Sequence, residues 1–260
     1  MTSRKSESTM MLKGKRALIT GGTSGIGLAA ARMFITNGAR VAITGRREAQ
    51  LDTLRAEFGP AHLAIRNDAS DVKGLDALYG EIAETFGGLD ILFANAGITG
   101  AGARIADTTE TMFDDVYDLN VRGVFFCVQK ALPLLSKGSS IILNASMAPR
   151  MGRPNSLLYA SSKAAVRTMA RNISAELAGR EIRCNAISPG PIETELWSSF
   201  GADEQQVAAV KAKRAATIPA GRFGTAEEVA QLVTFLASDA SRYIVAADIV
   251  IDGGLSEIRL

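Results

Sequence analysis

The chain has 260 residues, 47% of them hydrophobic and 22% charged, the balance expected of a soluble globular protein. A formal net charge of +2 gives no electrostatic ground for nucleic-acid binding. No run approaches the roughly 18 consecutive apolar residues of a membrane span, so no membrane partner is expected and a cytoplasmic location is the simplest expectation.

Two cysteines, Cys127 and Cys184, lie in apolar stretches and read as buried thiols. His62 is the single histidine and falls just before an apolar run, far in sequence from the motifs below. That argues against a Ser–His or Cys–His catalytic pair, and no metal site is expected. Residues 1–11 are polar, lack the apolar core of a signal peptide and read as a flexible tail. Residues 12–260 read as one domain.

In chain order, short β-branched runs alternate with longer helical patterns. Residues 16–20 read as a buried strand, followed by a glycine-rich turn and an amphipathic helix over 25–37 that Gly38 stops. Strands at 41–44, 63–65 and 89–93 alternate with helices at 48–58 and 72–86. A long helical region spans 110–135, in one piece or two, before a strand at 140–143 and a helix at 157–177. A strand at 182–187, helices at 204–214 and 226–236, and a last strand at 248–251 complete the pattern. This alternation predicts an α/β fold, a doubly wound parallel sheet of about seven strands with helices on both faces. Its ligand belongs at the carboxyl ends of the strands, beside the topological switch point.

The segment Thr20-Gly21-Gly22-Thr23-Ser24-Gly25-Ile26-Gly27 joins the first strand to the first helix. Glycines at 21, 25 and 27 let the backbone turn sharply and approach a ligand closely. The helix start offers unpaired N–H groups and a partial positive charge to a pyrophosphate. Gly27 is followed by Leu28, so this is not a Walker loop.

The pattern T-G-x-x-x-G-x-G resembles the coenzyme turn of the short-chain dehydrogenase/reductase family, and the resemblance runs on along nearly the whole chain. Asp68-Ala69 resembles the pair that holds the adenine. Asn95-Ala96-Gly97 resembles the segment that supports the sheet and lines the cofactor site. Tyr159-Ala160-Ser161-Ser162-Lys163 matches Y-x-x-x-K, Pro189-Gly190-Pro191-Ile192-Glu193-Thr194 resembles the segment that binds the nicotinamide end, and Asp252-Gly253-Gly254 resembles the family's C-terminal D-G-G. The resemblance implies a Rossmann-like oxidoreductase that interconverts a ketone or aldehyde and an alcohol by hydride transfer. It implies cofactor contacts from Gly21, Thr23, Ser24, Gly25, Ile26, Gly27, Arg46, Arg47, Asp68, Ala69, Asn95, Ala96, Gly97, Tyr159, Lys163, Pro189, Gly190, Ile192 and Thr194.

An acid at the end of the second strand hydrogen-bonds the cofactor ribose, whereas a cation there accommodates a 2′-phosphate. This strand ends Thr44-Gly45-Arg46-Arg47, without the acid and with a planar guanidinium fork, so NADP(H) is expected. Thr23 and Ser24 stand where some NADP-using relatives carry Arg or Lys, and NAD stays open.

Tyr159 and Lys163 share one helix face, a turn apart. A free tyrosine titrates near pH 10, and a neighbouring cation stabilises the phenolate, so Lys163 is expected to bring Tyr159 into range as general acid. By resemblance Ser146 polarises the substrate oxygen, and Asn120 bends its helix and holds a proton-relay water. The helix surface of Ala164, Ala165, Val166, Met169, Ala170 and Ile173 is wider than one sheet-facing stripe needs, which together with the resemblance predicts a homotetramer.

By resemblance the substrate pocket involves Thr99, Met147, Arg150, Met151, Arg153 and residues 196–200, with 194–214 as a lid. Three further functions stay open. A 3-oxoacyl-carrier-protein reductase would dock its acidic carrier on Lys137 and Arg180; a sugar or polyol dehydrogenase would use NAD; a regulator would bind NADP without turnover.

Overall fold

A computed structural model of the chain describes residues 10–194 and 203–258, the side chain of Glu204 excepted. The first half alternates strictly: β1 (Arg16–Ile19), α1 (Gly25–Thr36), β2 (Arg40–Gly45), α2 (Glu48–Phe58), β3 (Leu63–Arg66), α3 (Gly74–Phe86) and β4 (Leu89–Ala94). There follow α4 (Glu110–Tyr117), a π-turn at Asp118–Gly123, α5 (Val124–Ala131), β5 (Leu135–Asn144) and α6 (Leu157–Leu177). The chain continues through β6 (Arg183–Pro189), β7 (Ile192–Glu193), α7 (Glu204–Ala215), β8 (Gly224–Thr225), α8 (Ala226–Ala237) and β9 (Asp248–Ile251).

Seven strands form one parallel sheet in the order β3-β2-β1-β4-β5-β6-β9. The chain winds outward from β1 to β3, then crosses back to lay β4 against the other side of β1. Loops leaving β1 and β4 therefore diverge and open a crevice at their carboxyl ends. Central strands are apolar on both faces because both are covered. Leu18, Leu92, Ile141 and Leu143 pack with α3, α5 and α6. Ile19, Ile43, Phe93 and Ile142 pack with Ala30, Ala31 and Phe34 of α1, Leu51 of α2 and Val229 to Leu236 of α8.

The structure refines three expectations. The helical region 110–135 is two α-helices joined by a π-turn and ends at Ala131. The strand predicted at 140–143 begins at Leu135, with a register shift between the Leu135–Leu89 and Ser140–Ile91 pairs. The two-residue pair β7–β8 has no counterpart in the sequence reading, because so short a run carries no periodicity. Met169 and Ile173 pack partly buried against the core, so that stretch of α6 is less free than its sequence implies. His62 Nδ1 accepts the Val41 N–H at 3.1 Å, and burial pushes its pKa down, a structural role at a strand start. Among the described residues no helix is long and apolar enough to cross a membrane.

Opposite the crevice, Arg16 clamps β1 to β4. Its Nε and N–H donate to Asp90 Oδ2 at 2.8 and 2.9 Å, and Nη2 donates to Oδ1 at 3.2 Å. Burial pushes the Asp90 carboxyl up, but the Arg16 bonds and charge outweigh it and the net pKa is lowered. A lowered folded-state pKa gives stability that is present above the unfolded value and lost as pH falls from there through the folded value. Arg16→Ala is expected to cost about 2 kcal/mol at neutral pH, a penalty that shrinks as pH falls below about 4, read from urea unfolding midpoints.

Candidate active site

A chain of polar groups runs along the crevice floor. Thr20, just past β1, accepts the N–H groups of Asn95 and Ala96 on its hydroxyl at 3.0 and 3.1 Å. Asn95 Nδ2 donates to the carbonyls of Thr20 and Gly21, both at 3.0 Å. Its Oδ1 accepts Asn144 Nδ2 at 2.8 Å, and the Asn144 carbonyl accepts Lys163 Nζ at 2.7 Å. The ends of three strands and α6 are thus joined through consecutive hydrogen bonds, which in a low-dielectric interior stiffen one another.

The glycine turn sits on this floor. Gly21 (φ 63°) and Gly25 (φ 50°) occupy the left-handed region that side chains disfavour. A Cβ on Gly27 would lie 2.2 Å from the Gly21 carbonyl oxygen and 2.5 Å from Asn95 Nδ2. Ser24 precedes α1 in an extended conformation and makes no side-chain cap bond. The first N–H groups of α1 therefore lack a side-chain acceptor and, with the helix dipole, suit a pyrophosphate. Thr194 lies over the turn, its Cγ2 3.2 Å from where a Gly25 Cβ would be. Asn67, one residue before the expected adenine pair, is buried with Oδ1 unpartnered, ready to accept from a base. The cradle, the uncapped helix start and this orphaned oxygen fit a dinucleotide.

At the end of β2, Gly45 lies beneath Thr23: a Cβ on Gly45 would come 2.4 Å from Thr23 Cγ2, so an Asp there would collide. Arg46 is exposed, its Nη1 3.9 Å from Asp68 Oδ2. Burial pushes Asp68 up, but the Ser70 N–H and hydroxyl and the Arg46 charge bring its net pKa down. Arg47 precedes α2 at its N-cap position without a cap bond.

On the other wall, Tyr159 and Lys163 stand one turn apart on α6. Lys163 is buried, 4% exposed, and burial pushes its amine down to about 8. Burial pushes the Tyr159 phenol up, and a hydrogen bond with Ser146 opposes the shift. This corrects the expectation that Lys163 lowers the tyrosine pKa. The lowering partner is Ser146, because the Lys163 amine is turned to the Asn144 carbonyl and its own charge is disfavoured. Ser146 is itself held, its Oγ accepting the Ala148 N–H at 3.1 Å.

Asn120 lies in the π-turn, fully buried. Its Oδ1 accepts the Ile98 N–H at 2.9 Å, and its Nδ2 donates to the Ile98 carbonyl at 2.8 Å and to Ser162 Oγ at 3.1 Å. A Cβ on Gly97 would lie 3.0 Å from Asn120 Oδ1 and 3.1 Å from Lys163 Nζ, so Gly97 leaves both polar groups room. Ala69 is buried, and its carbonyl oxygen lies 2.4 Å from where a Gly123 Cβ would be.

The segment after β6 closes the site. The Pro189 carbonyl accepts the Met147 N–H at 3.1 Å, Gly190 N–H donates to the Ile251 carbonyl at 2.9 Å, and Ile192 is buried in β7. Met147 packs with Ile218, Phe223 and Leu255, with Met151 and Ala215 against them. Arg150, expected near the pocket, pairs instead with Asp248 at 3.1 Å and Glu257 at 2.8 Å. Lys137 pairs with Glu181, and Arg180 donates to the Leu132 and Leu135 carbonyls, so neither is a free cation for a carrier protein. Residues 196–200 of the expected pocket lie outside the described residues. Among the described residues no cluster of His, Cys, Asp or Glu is placed to hold a metal ion.

Sequence reasoning gave Asn144 no role beyond a polar neighbour and missed Asn67. The available signal was an amide at the inner end of an apolar strand, where a buried polar group must find partners.

The family profile described as enoyl-(acyl carrier protein) reductase matches residues 21–256. The oxidoreductase asL5 of Sarocladium schorii is 39% identical over 95% of this chain and 98% of its own length. Galactitol 2-dehydrogenase of Agrobacterium fabrum is 37% identical over 94% of this chain and 98% of its own. A crystal structure of a short-chain type dehydrogenase/reductase from Mycobacterium marinum superposes with a TM-score of 0.87 at 35% identity, covering 96% of this chain and 98% of that one.

The buried lysine leaves a thermodynamic signature. Its folded pKa of about 8 lies below the ordinary 10.5, so between those values the unfolded chain binds more protons and stability rises with pH. Relative to the wild type, Lys163→Met is expected to remove that rise, on the order of 3 kcal/mol, in unfolding free energies measured across the window. Identical pH slopes for the two proteins would contradict the burial of a titrating amine.

Proposed function

The chain belongs to the short-chain dehydrogenase/reductase family, and on that premise we propose that it is an NADP(H)-dependent oxidoreductase interconverting a small ketone or aldehyde with its alcohol. One observation carries the reading: Tyr159 and Lys163 stand one turn apart on α6, the buried Lys163 amine held by the Asn144 carbonyl, beside a glycine cradle suited to a dinucleotide. In this reading the turn from Gly21 to Gly27, with Thr23, Ser24 and Ile26, holds the pyrophosphate. Asp68 and Ala69 face the adenine, Asn95 to Gly97 and Lys163 the ribose, and Pro189, Gly190, Ile192 and Thr194 the nicotinamide end. Gly45 beneath Thr23, with Arg46 and Arg47 following, favours a 2′-phosphate over bare ribose hydroxyls.

When bound, the nicotinamide supplies or accepts the hydride. Ser146 Oγ donates to the carbonyl oxygen and stabilises the charge that develops there. Tyr159 delivers the proton to that oxygen and, in the oxidative direction, takes it back. Lys163 and Asn120 hold the proton path behind Tyr159, anchored by the Asn144 carbonyl and the Ile98 backbone. A polyol oxidation, as the Agrobacterium relative's name describes for that protein, runs the same groups in reverse.

The test is a panel of ketones, aldehydes, β-ketoesters, 3-oxoacyl thioesters and polyols, followed by nicotinamide absorbance with both phosphorylated and unphosphorylated cofactors. NADPH-driven reduction of a ketone or aldehyde is expected. Tyr159→Phe is expected to lower kcat by at least about 100-fold while the cofactor Kd stays within about twofold. Near-normal turnover by that variant would overturn the assignment, and a clear NADH preference would overturn the reading of Arg46.

A further inference from the structure

The Asp248 carboxylate, at the start of β9, collects donors from three other segments. Arg167 Nε donates to its Oδ2 at 2.6 Å, Arg150 Nη2 donates to the same oxygen at 3.1 Å, and Ser188 Oγ donates to Oδ1 at 2.5 Å. The Asp248 side chain is 5% exposed, whereas both arginines keep part of their surface in water. Glu257 accepts from the other terminal nitrogen of Arg150 at 2.8 Å, so the cluster of two arginines and two carboxylates is neutral. Asp248 pairs with Ala186 on β6, which pairs with Leu143 on β5. Paired residues of a parallel sheet share a face, and Leu143 and Ala186 pack with Val166 and Ala170 of α6. A charged group is thus set into the contact between the sheet and α6.

Packing does not call for it. A buried ion pair does no better for stability, as a rule, than apolar side chains of the same size. What its donors are attached to is more telling. Arg150 ends the short turn Ala148–Arg150, four residues past Ser146, and its N–H donates to the Met147 carbonyl at 2.9 Å. Arg167 lies on α6 one turn past Lys163 and two turns past Tyr159. Ser188 immediately precedes Pro189, whose carbonyl takes the Met147 N–H, and Gly190 follows. The segments that carry the substrate-oxygen donor, the proton donor and the nicotinamide contacts of the proposed function therefore meet at one carboxylate. Asn144 holds α6 at Lys163, and Asp248 holds it one turn further along.

We propose that Asp248 is a positioning residue: it fixes the distance between the Ser146 turn and the Tyr159 face of α6, and with it the alignment of proton donor and substrate oxygen. It acts through Arg150 and Arg167. A buried carboxylate that takes charge-assisted bonds from two planar guanidinium groups restricts the geometry of both arms. A displacement of about 1 Å, caused by a change away from the chemistry, can cost about 100-fold in rate. The inference rests on the reading of Ser146 and Tyr159 as the reacting groups.

The test uses the full-length enzyme with its preferred nicotinamide cofactor and the best carbonyl substrate of the panel. Asp248→Asn keeps the size and an acceptor for Ser188 but removes the charge. It is expected to lower kcat roughly 30-fold while KM and the cofactor Kd stay within about twofold. Glu257→Gln, which alters the exposed outer partner of Arg150, should leave kcat within about twofold. Asp248→Asn also takes a carboxylate from both arginines and is expected to melt earlier, so a second variant separates stability from alignment. Asp248→Leu combined with Arg150→Met, Arg167→Met and Ser188→Ala exchanges the inner cluster for apolar groups. Its melting temperature should return to within about 5 °C of the wild type, with kcat still at least about tenfold low. Recovery of kcat together with the melting temperature would overturn the proposal. So would an Asp248→Asn enzyme whose kcat falls less than about threefold, or whose loss lies wholly in KM. Amide hydrogen exchange of the free protein keeps this inference apart from the oxidoreductase reading. Asp248→Asn should speed exchange at least about fivefold in residues 147–150 and 157–167 and leave β1 to β3 unchanged. That result, with a wild type that reduces no carbonyl, sinks the oxidoreductase reading and keeps the clamp. Unchanged exchange in both segments sinks the clamp even in an active enzyme.

Discussion

Asn144 ends β5, beside the middle strand β4, and two of its atoms bind in opposite directions. Its amide donates to Asn95, which holds the Thr20 and Gly21 carbonyls; its own carbonyl takes the Lys163 amine. One residue thus connects the glycine turn on one side of the crevice to α6 on the other. Remove it and the glycine turn, whose φ values and close contacts leave no slack, loses its only lateral link to α6 through this chain. The rigidity that a dinucleotide site needs comes from this hydrogen-bonded floor, supported below by the two apolar faces of a doubly covered sheet.

The same floor makes the site expensive. Lys163 is buried at a cost that shows in its lowered pKa, Tyr159 is pushed the other way, and Asn67 and Asn144 each keep a buried oxygen without a partner. A fold selected for stability alone would replace these groups with apolar ones. Their concentration at the carboxyl ends of the strands, and not in the two cores, is the physical mark of a site.

The seven-stranded sheet was legible because a parallel sheet covered on both faces needs continuous apolar strands separated by helix-length periods, and both periods survive in the sequence. That Tyr159 and Lys163 share one helix face was legible by spacing, Gly21 and Gly25 by the left-handed turn that glycine favours, and Gly27 by the close approach that only a missing side chain permits. Pairings between distant residues were not. Nothing local in the sequence tells that Arg150 is neutralised by Asp248 and Glu257, since both partners lie about a hundred residues away. The electrostatic balance at Tyr159 was misjudged for the same reason: adjacency of Tyr159 and Lys163 on one helix face does not reveal that the Asn144 carbonyl captures the amine. The π-turn at Asn120 was foreseen as a bend, but its double hold on Ile98 needed coordinates.

The central claim is that Thr20, Asn95, Asn144 and Lys163 act as one unit that holds the glycine turn and α6 together. A double-mutant cycle on Asn95→Ala and Asn144→Ala, read as the NADPH dissociation constant, tests it most directly. If the two side chains belong to one chain, either substitution breaks it, and the double variant should bind about as weakly as the worse single one, with a coupling energy of about 1 kcal/mol. Losses that simply add would mean that the two asparagines serve the site independently, and the account of a single polar floor would be wrong.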